Sequence, residues 1–365
     1  MRPDPHDPLL DPGLAGRLQL HLRTRIDRLQ RLGDAAAEAE ARRRLAAVAR
    51  HLDQPAEALA QLQALLGLHL RASQWLAAAD VLMTCAELLL HLGHLDDARV
   101  ALEEARRLYL GQRDVAGLAL SEILQADLHL RLARDDDALA CLLRAMEGLT
   151  DLGLSGPLAH VWVQLARFHH RRNQHKVEDA ALSAAVDCFH LDGKPLQAAL
   201  CQIQRAARLG QRGLNEDALA TLDDVDRLLT GVEDGRAPLE IRAALDRGRL
   251  LDAAGRSAEA LRALRKVTGR IDEAGDKALT ADILELHGGL LAREAADLDA
   301  LSAAELLLGR AVDLHIERKQ PARVLDAARK IVEAAQRLGD LHLARRWAVR
   351  AATAAGALTA PKPEP

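Results

Sequence analysis

Small and apolar positions recur along the chain on a clock of about forty residues. Ala46, Ala86, Ala126, Ala166 and Ala206 stand 40 apart, with Gly248 at the next step. Beside them runs a second lane, made of Ala58, Ala98, Ala138, Ala180, Ala218, Ala260, Ala304 and Ala344. Ala39, Ala79, Ala119, Ala159 and Ala199 precede the first lane by seven residues, and Met83, Ile123, Val163 and Ile203 fall between. Offsets of three, four and seven put these residues on one face of a helix. In the second lane most alanines are followed four positions on by leucine, as in Ala58/Leu62, Ala98/Leu102, Ala138/Leu142, Ala218/Leu222, Ala260/Leu264 and Ala304/Leu308. There the small residue lets two backbones approach while the leucine fills the gap beside it.

Helix breakers keep the same clock. Gly33-Asp34, Arg113-Asp114 and Gly275-Asp276 read as helix starts, and Pro157, Pro195, Pro238 and Pro321 fit first turns, where a proline is tolerated. Gly93 to Asp97, Ala133 to Asp137, Gly213 to Asp217 and Gly255 to Ala258 separate two helical stretches within a period. Each period therefore reads helix, turn, helix, with helices of roughly 16 to 18 residues and about 25 Å. The pattern predicts an all-α solenoid of antiparallel helix pairs, about seven to eight of them. Ala166 and Ala180 lie two residues further apart than their counterparts, and about four extra residues precede Ala304, so bulged loops are expected at both places.

Composition agrees with long helices: 49% hydrophobic and 28% charged residues, with only 2% aromatic. One elongated domain, 14–356, is expected between a flexible, proline-bearing N-terminal arm, 1–13, and a disordered tail, 357–365. A net charge of −4 gives no global positive field, so neither nucleic acid nor membrane is expected as a partner. Cys85, Cys141, Cys188 and Cys201 form no close pair and lie in helical stretches, the usage of reduced thiols in a cytoplasmic protein. Neither a signal peptide nor a transmembrane segment stands at the N-terminus, whose first twelve residues lack an apolar core. Arginine outnumbers lysine 42 to seven, which points to a GC-rich bacterial genome.

The paired small residues resemble those of the tetratricopeptide repeat (TPR) family, in a long-helix form of about 40 residues per repeat. Ala46/Ala58, Ala86/Ala98, Ala126/Ala138, Ala206/Ala218 and Gly248/Ala260 carry the resemblance, over residues 34 to 356. The family's aromatic positions are mostly missing; Trp162 and Phe168 are what remains of them. The resemblance implies a right-handed superhelix whose first helices line a concave groove. On those helices the positions six and two before, and one and five after, the small residue face the groove. Here they read Glu40, Arg44, Ala47, His51; Asp80, Thr84, Glu87, His91; Leu120, Leu124, Asp127, Arg131; His160, Gln164, Arg167, Arg171; Leu200, Gln204, Ala207, Gln211; and Arg242, Asp246, Arg249, Ala253.

No phosphate loop, zinc-protease helix or nucleophile elbow is present in the sequence, so the reading is non-catalytic and without a cofactor. His160, His169, His170 and His175 have the wrong spacing for a metal site and read as a polar helix end, and Asp135, Asp136 and Asp137 read as a cap for the next helix. His51, His91, Arg131 and Arg171 keep a basic or titratable group at 40-residue spacing. They also close the last turns of their helices, where a cation is favoured without any partner. The expected function is a protein-interaction scaffold or adaptor holding a peptide or protein segment, acidic in character, in the groove. Leu124, Asp127, Arg131, His160, Gln164, Arg167 and Arg171 are the candidate contacts, with arginines as bidentate anchors and leucines supplying burial. The alternatives are a ligand- or peptide-responsive sensor lacking its own output domain and a self-assembling structural protein.

Overall fold

The computed structural model describes residues 12–359. The arm expected at 1–13 lies outside them except for its last two residues, and so does most of the tail expected at 357–365. Every regular element described is helical. Helix α1 (Pro12–Leu32) precedes eight helix pairs. These are α2 (Ala35–His51) with α3 (Pro55–Arg71), α4 (Trp75–Leu92) with α5 (Leu95–Gln112), α6 (Val115–Arg131) with α7 (Asp135–Asp151), and α8 (Ser155–Arg171) with α9 (His175–Leu191). There follow α10 (Pro195–Gln211) with α11 (Asn215–Leu228), α12 (Ala237–Ala253) with α13 (Ser257–Thr268), α14 (Lys277–Glu294) with α15 (Leu298–Glu317), and α16 (Pro321–Arg337) with α17 (Leu341–Thr359). The pairs group into two compact units, one up to Lys194 and one from Pro195.

Both alanine lanes are where the helices meet. Ala46, Ala86, Ala126, Ala166, Ala206 and Gly248 are buried, as are Ala58, Ala98, Ala138, Ala218, Ala260, Ala304 and Ala344 and the leucines four residues beyond the first six of these. Ala180 is the exception, because it is exposed. The α8–α9 turn has the same three residues as its neighbours, so the bulge expected there is absent. The period is kept at 40, and its position is filled by Glu178, which is only 4% exposed. A carboxylate thus stands where the other pairs place a methyl group, with His170 Nδ1 3.0 Å and His175 Nδ1 3.6 Å from its oxygens. The chain bulges at a 3-10 turn, Ile271–Ala274, which takes the place of the last turn of the short α13, but the four extra residues before Ala304 are not there: they fall between Gly288 and Ala304 and lengthen α14 and α15 instead of bulging. A second bulge follows α11, around Gly231 and Gly235.

Most helices are joined by three-residue turns whose middle residue has positive φ. Glycine takes that place at Gly153, Gly193, Gly213, Gly255 and Gly339, whereas Asp53, Ser73, Ala133, Asn173 and Lys319 take it against the preference of a Cβ. Three turns share a side-chain clip: His69, His169 and His315, near the ends of their helices, place Nδ1 2.7, 2.6 and 3.1 Å from Oε1 of Gln74, Gln174 and Gln320, five residues on. Asp34, Asp114, Asp276 and Asp297 cap their helices with a carboxylate oxygen. Asp135, Asp136 and Asp137 do not: Arg134 is the N-cap, and the aspartates occupy the first turn, where the helix dipole favours negative charge. Helix α4 is apolar and long enough to cross a membrane by composition, and its apolar side is spent against α3, α5 and α6.

Candidate functional site

First helices of successive pairs touch one another: α4 with α6 and α6 with α8 in one unit, and α10 with α12, α12 with α14 and α14 with α16 in the other. Their faces carry the stripe positions, which are exposed or half-buried throughout except at Asp246. The faces are therefore open to a ligand. Not every stripe residue is free for one. Asp80 accepts a hydrogen bond of 2.7 Å from the hydroxyl of buried Tyr109, whose ring fills the space where a Cβ on Gly117 would project. Burial first, and then the Asp80 carboxylate, push the phenol well above its usual range.

The seven candidate contacts all lie in the first unit, on α6 and α8, whereas Leu200 stands on α10 in the second. Arg131 is folded back along its own array: Nε donates to Asp127 at 2.9 Å, and an η nitrogen donates to the Leu90 carbonyl at 2.8 Å. Arg171 repeats the arrangement one period on, donating to the Leu130 carbonyl at 2.7 Å and lying 3.5 Å from Asp135. Both carbonyls already accept from the turn that follows, Leu90 from the Gly93 N–H at 3.1 Å and Leu130 from the Ala133 N–H at 3.3 Å, so each arginine adds a second, charged donor to a helix end of the preceding repeat. Leu124 is half-buried against the α4–α5 core. His160 sets its ring edge-on against Phe189, centroids 5.1 Å apart. Its pKa is lowered, chiefly by burial of the ring and further by the charge of Lys194.

Gln164 and Arg167 differ from the rest. The Oε1 atom of Gln164 is buried and has no hydrogen-bond donor. Arg167, one turn further along the same face, is exposed and makes no hydrogen bond or ion pair with a described residue. An acceptor without a donor thus neighbours a guanidinium without an acceptor. Three of the four histidines expected to form a polar helix end do so, His169 bonding Gln174 while His170 and His175 flank Glu178, whereas His160 lies in the first half of α8 against Phe189.

The second unit holds a feature that the stripe reading stopped short of. A pocket of about 400 Å³ opens on α12, α14 and α16, floored by Leu286 and Leu290 and rimmed by Asp252, Arg293, Glu333 and Arg337. Gly289 and Arg293 stand 40 residues after Arg249 and Ala253, so the forty-residue clock does reach it. Arg337 here plays the part of Arg131 and Arg171, donating to the carbonyls of Ala292, Arg293 and Ala295 at 2.8 to 3.0 Å. At the back, Glu285 takes Lys330 at 2.6 Å, His315 at 3.0 Å and Arg323 at 2.9 Å. Burial alone would raise its pKa, but hydrogen bonds from His315 and Lys330 and the charges of Lys330 and Arg323 hold it down to about 2. A Cβ on Gly289 would meet the Lys330 stem at 3.0 Å, so the glycine makes room for that lysine to reach Glu285.

No family model and no curated protein sequence matches the chain. Solved structures do resemble it. A Signal Transduction ATPase with Numerous Domains (STAND) protein with a tetratricopeptide repeat sensor, from Pyrococcus horikoshii, matches with a TM-score of 0.67 at 10% identity, over 92% of this chain and 52% of that one. The chain thus spans about half the length of that protein. Aspartyl phosphate phosphatase F from Bacillus subtilis matches with a TM-score of 0.54 at 12% identity, over 96% of this chain and 97% of that one. The apo form of RapI matches with a TM-score of 0.52 at 12% identity, over 76% and 97%. Together with the buried small-residue lanes and the succession of helix pairs, these likenesses give the chain the fold of a tetratricopeptide-type helical repeat protein.

Proposed function

We propose that the chain is a non-catalytic binding module that holds a peptide segment of a partner protein on the α6–α8 face. One observation carries this reading: Gln164 offers a buried acceptor with no donor, and Arg167 beside it offers donors with no acceptor. A peptide unit has both complements, its N–H for the glutamine and its carbonyl, or a carboxylate side chain, for the guanidinium. Exposed Leu120 and half-buried Leu124 on α6 give an apolar side chain of the segment somewhere to rest. The TPR sensor in the archaeal STAND protein supports a regulatory use of such a module, in which the captured segment signals to a separate output chain.

Arg131 and Arg171 belong to the wall of this site rather than to its contacts, since their donors are engaged by Leu90 and Leu130. The decisive variant is therefore Arg167→Glu rather than a reversal that includes Arg171. Affinity capture from the host lysate, read by mass spectrometry, is expected to lose a protein from Arg167→Glu and from Gln164→Ala that the parent retains. Identical retention by all three at unchanged Tm overturns the assignment.

A further inference from the structure

Helix α1 is the first described element of the array, and only its inner side is covered. Ala15, Leu22 and Ile26 are buried in a core shared with Ala41, Leu45 and Val48 of α2. The outer side is strongly basic. The helix holds five arginines and one aspartate, in a chain whose net charge is −4. Arg23 turns back to Glu57 at 3.4 Å. Arg17, Arg25, Arg28 and Arg31 are exposed and make no hydrogen bond or ion pair with any described residue.

Helical spacing puts Arg17, Arg28 and Arg31 along the middle of the outer face, about 21 Å from first to last. Leu20 and Leu32, each 67% exposed, stand on its two shoulders. A helix that lies in a membrane has the reverse order, apolar residues at the centre and cations at the borders. A polar end cap that only keeps a solenoid soluble needs no single sign of charge. The helix carries no aromatic residue on which a nucleic-acid base could stack. A basic ridge between two leucine shoulders matches the groove-and-ridge surface of another helix that bears carboxylates along its middle and apolar residues beside them.

We propose that the outer face of α1 docks an acidic amphipathic helix of a partner protein, stacked on α1 as a further helix of the array would be. This site is independent of the α6–α8 face, and its variants leave Gln164 and Arg167 intact.

The test uses the full chain and a fluorescent synthetic helix about as long as α1, with glutamate along the centre of one face and leucine on its shoulders. The expected result is binding that Arg17→Glu/Arg28→Glu weakens at least about tenfold and that Leu20→Ala/Leu32→Ala weakens without changing its salt dependence. Unchanged Tm in both variants keeps the loss at the surface. The proposal is overturned if the peptide does not bind, or if the arginine reversal leaves affinity intact. Equal or tighter binding of a short DNA duplex or of phosphatidylserine vesicles also overturns it. So does binding that appears only after removal of residues 1–11, whose Asp4, Asp7 and Asp11 would then mark them as the natural occupant.

Discussion

Ala133 and Gly153 occupy equivalent places in two successive turns, yet only the glycine is at ease there. A left-handed conformation costs an ordinary L-residue roughly 1 to 2 kcal/mol, and alanine has no polar side chain to offset it. Ala133, at φ 55°, is therefore the turn residue whose replacement has most to gain. Ala133→Gly is expected to stabilise the first unit by about 1 kcal/mol, the relief of strain exceeding the added freedom of the unfolded chain. Urea unfolding with an unchanged m-value checks this, and a lower midpoint for the glycine variant refutes it. Gly117 presents the opposite case. A Cβ there collides with the Tyr109 ring, so Gly117→Ala is expected to cost at least about 1 to 3 kcal/mol by overpacking, even though alanine is the better helix former. A calorimetric melt at or above the parent's Tm would contradict that account. Glu178 shows what residue spacing leaves unsaid: its lane is defined by small residues, so the eye passes over a carboxylate in register and settles on exposed Ala180 two positions later.

At the scale of the helix pair, close backbone approach at the alanine lanes and arginine caps between repeats hold neighbouring pairs together. Leucine at Ala98 or Ala126, both fully buried, is expected to cost roughly 1 to 3 kcal/mol because neither surface can yield. The caps separate two arginines that look alike in the sequence. Arg171→Ala removes the charged donor from the Leu130 carbonyl, which keeps the Ala133 N–H, together with the contact to Asp135, and is expected to cost about 1 kcal/mol, whereas Arg167→Ala changes stability by less than about 0.5 kcal/mol. Equal denaturant midpoints for these two variants would remove the distinction between wall and contact. The helix pairs were legible because a forty-residue period in small residues has few other physical causes. The candidate site was legible only as a stripe. Spacing assigns Arg131, Arg167 and Arg171 to one surface, but which guanidinium turns back to a carbonyl depends on the distance to the preceding repeat. Nothing within one period encodes that distance.

Over the whole molecule, charge is distributed unevenly. Arginines crowd α1, while the second unit sets Arg249, Arg323 and Lys330 against Asp282 and Glu285. Glu285 makes that second cluster sensitive to acid. Its pKa falls from 4.5 in the unfolded chain to about 2 in the folded one, so its contribution is complete above pH 4.5 and is lost as pH drops toward 2. The shift corresponds to roughly 3 kcal/mol at neutral pH. Glu285→Gln is expected to lower stability at pH 7 and to flatten its decline between pH 4.5 and 2. A parallel loss at every pH would show that the residue acts through shape alone. This cluster escapes a sequence reading because its members, with His315 on Glu285, come from α12, α14, α15 and α16 and only the fold brings them together.

The turns at Ala133 and Asn173 share one backbone conformation, with φ 55° and 56°, and they lie forty residues apart. Removing residues 134–173 would join Ala133 to Gln174 and leave a turn of the kind already used at both cuts. Residues that face outward from the excised helices would vanish, while α6 would meet α9, in the same register but with Glu178 in place of the small residue at the lane position. The gene for such a chain can lengthen or shorten by unequal recombination between repeats without inventing a new junction. The number of helix pairs is then an adjustable quantity, and a whole helix face such as that of α8 can be deleted or duplicated as a unit.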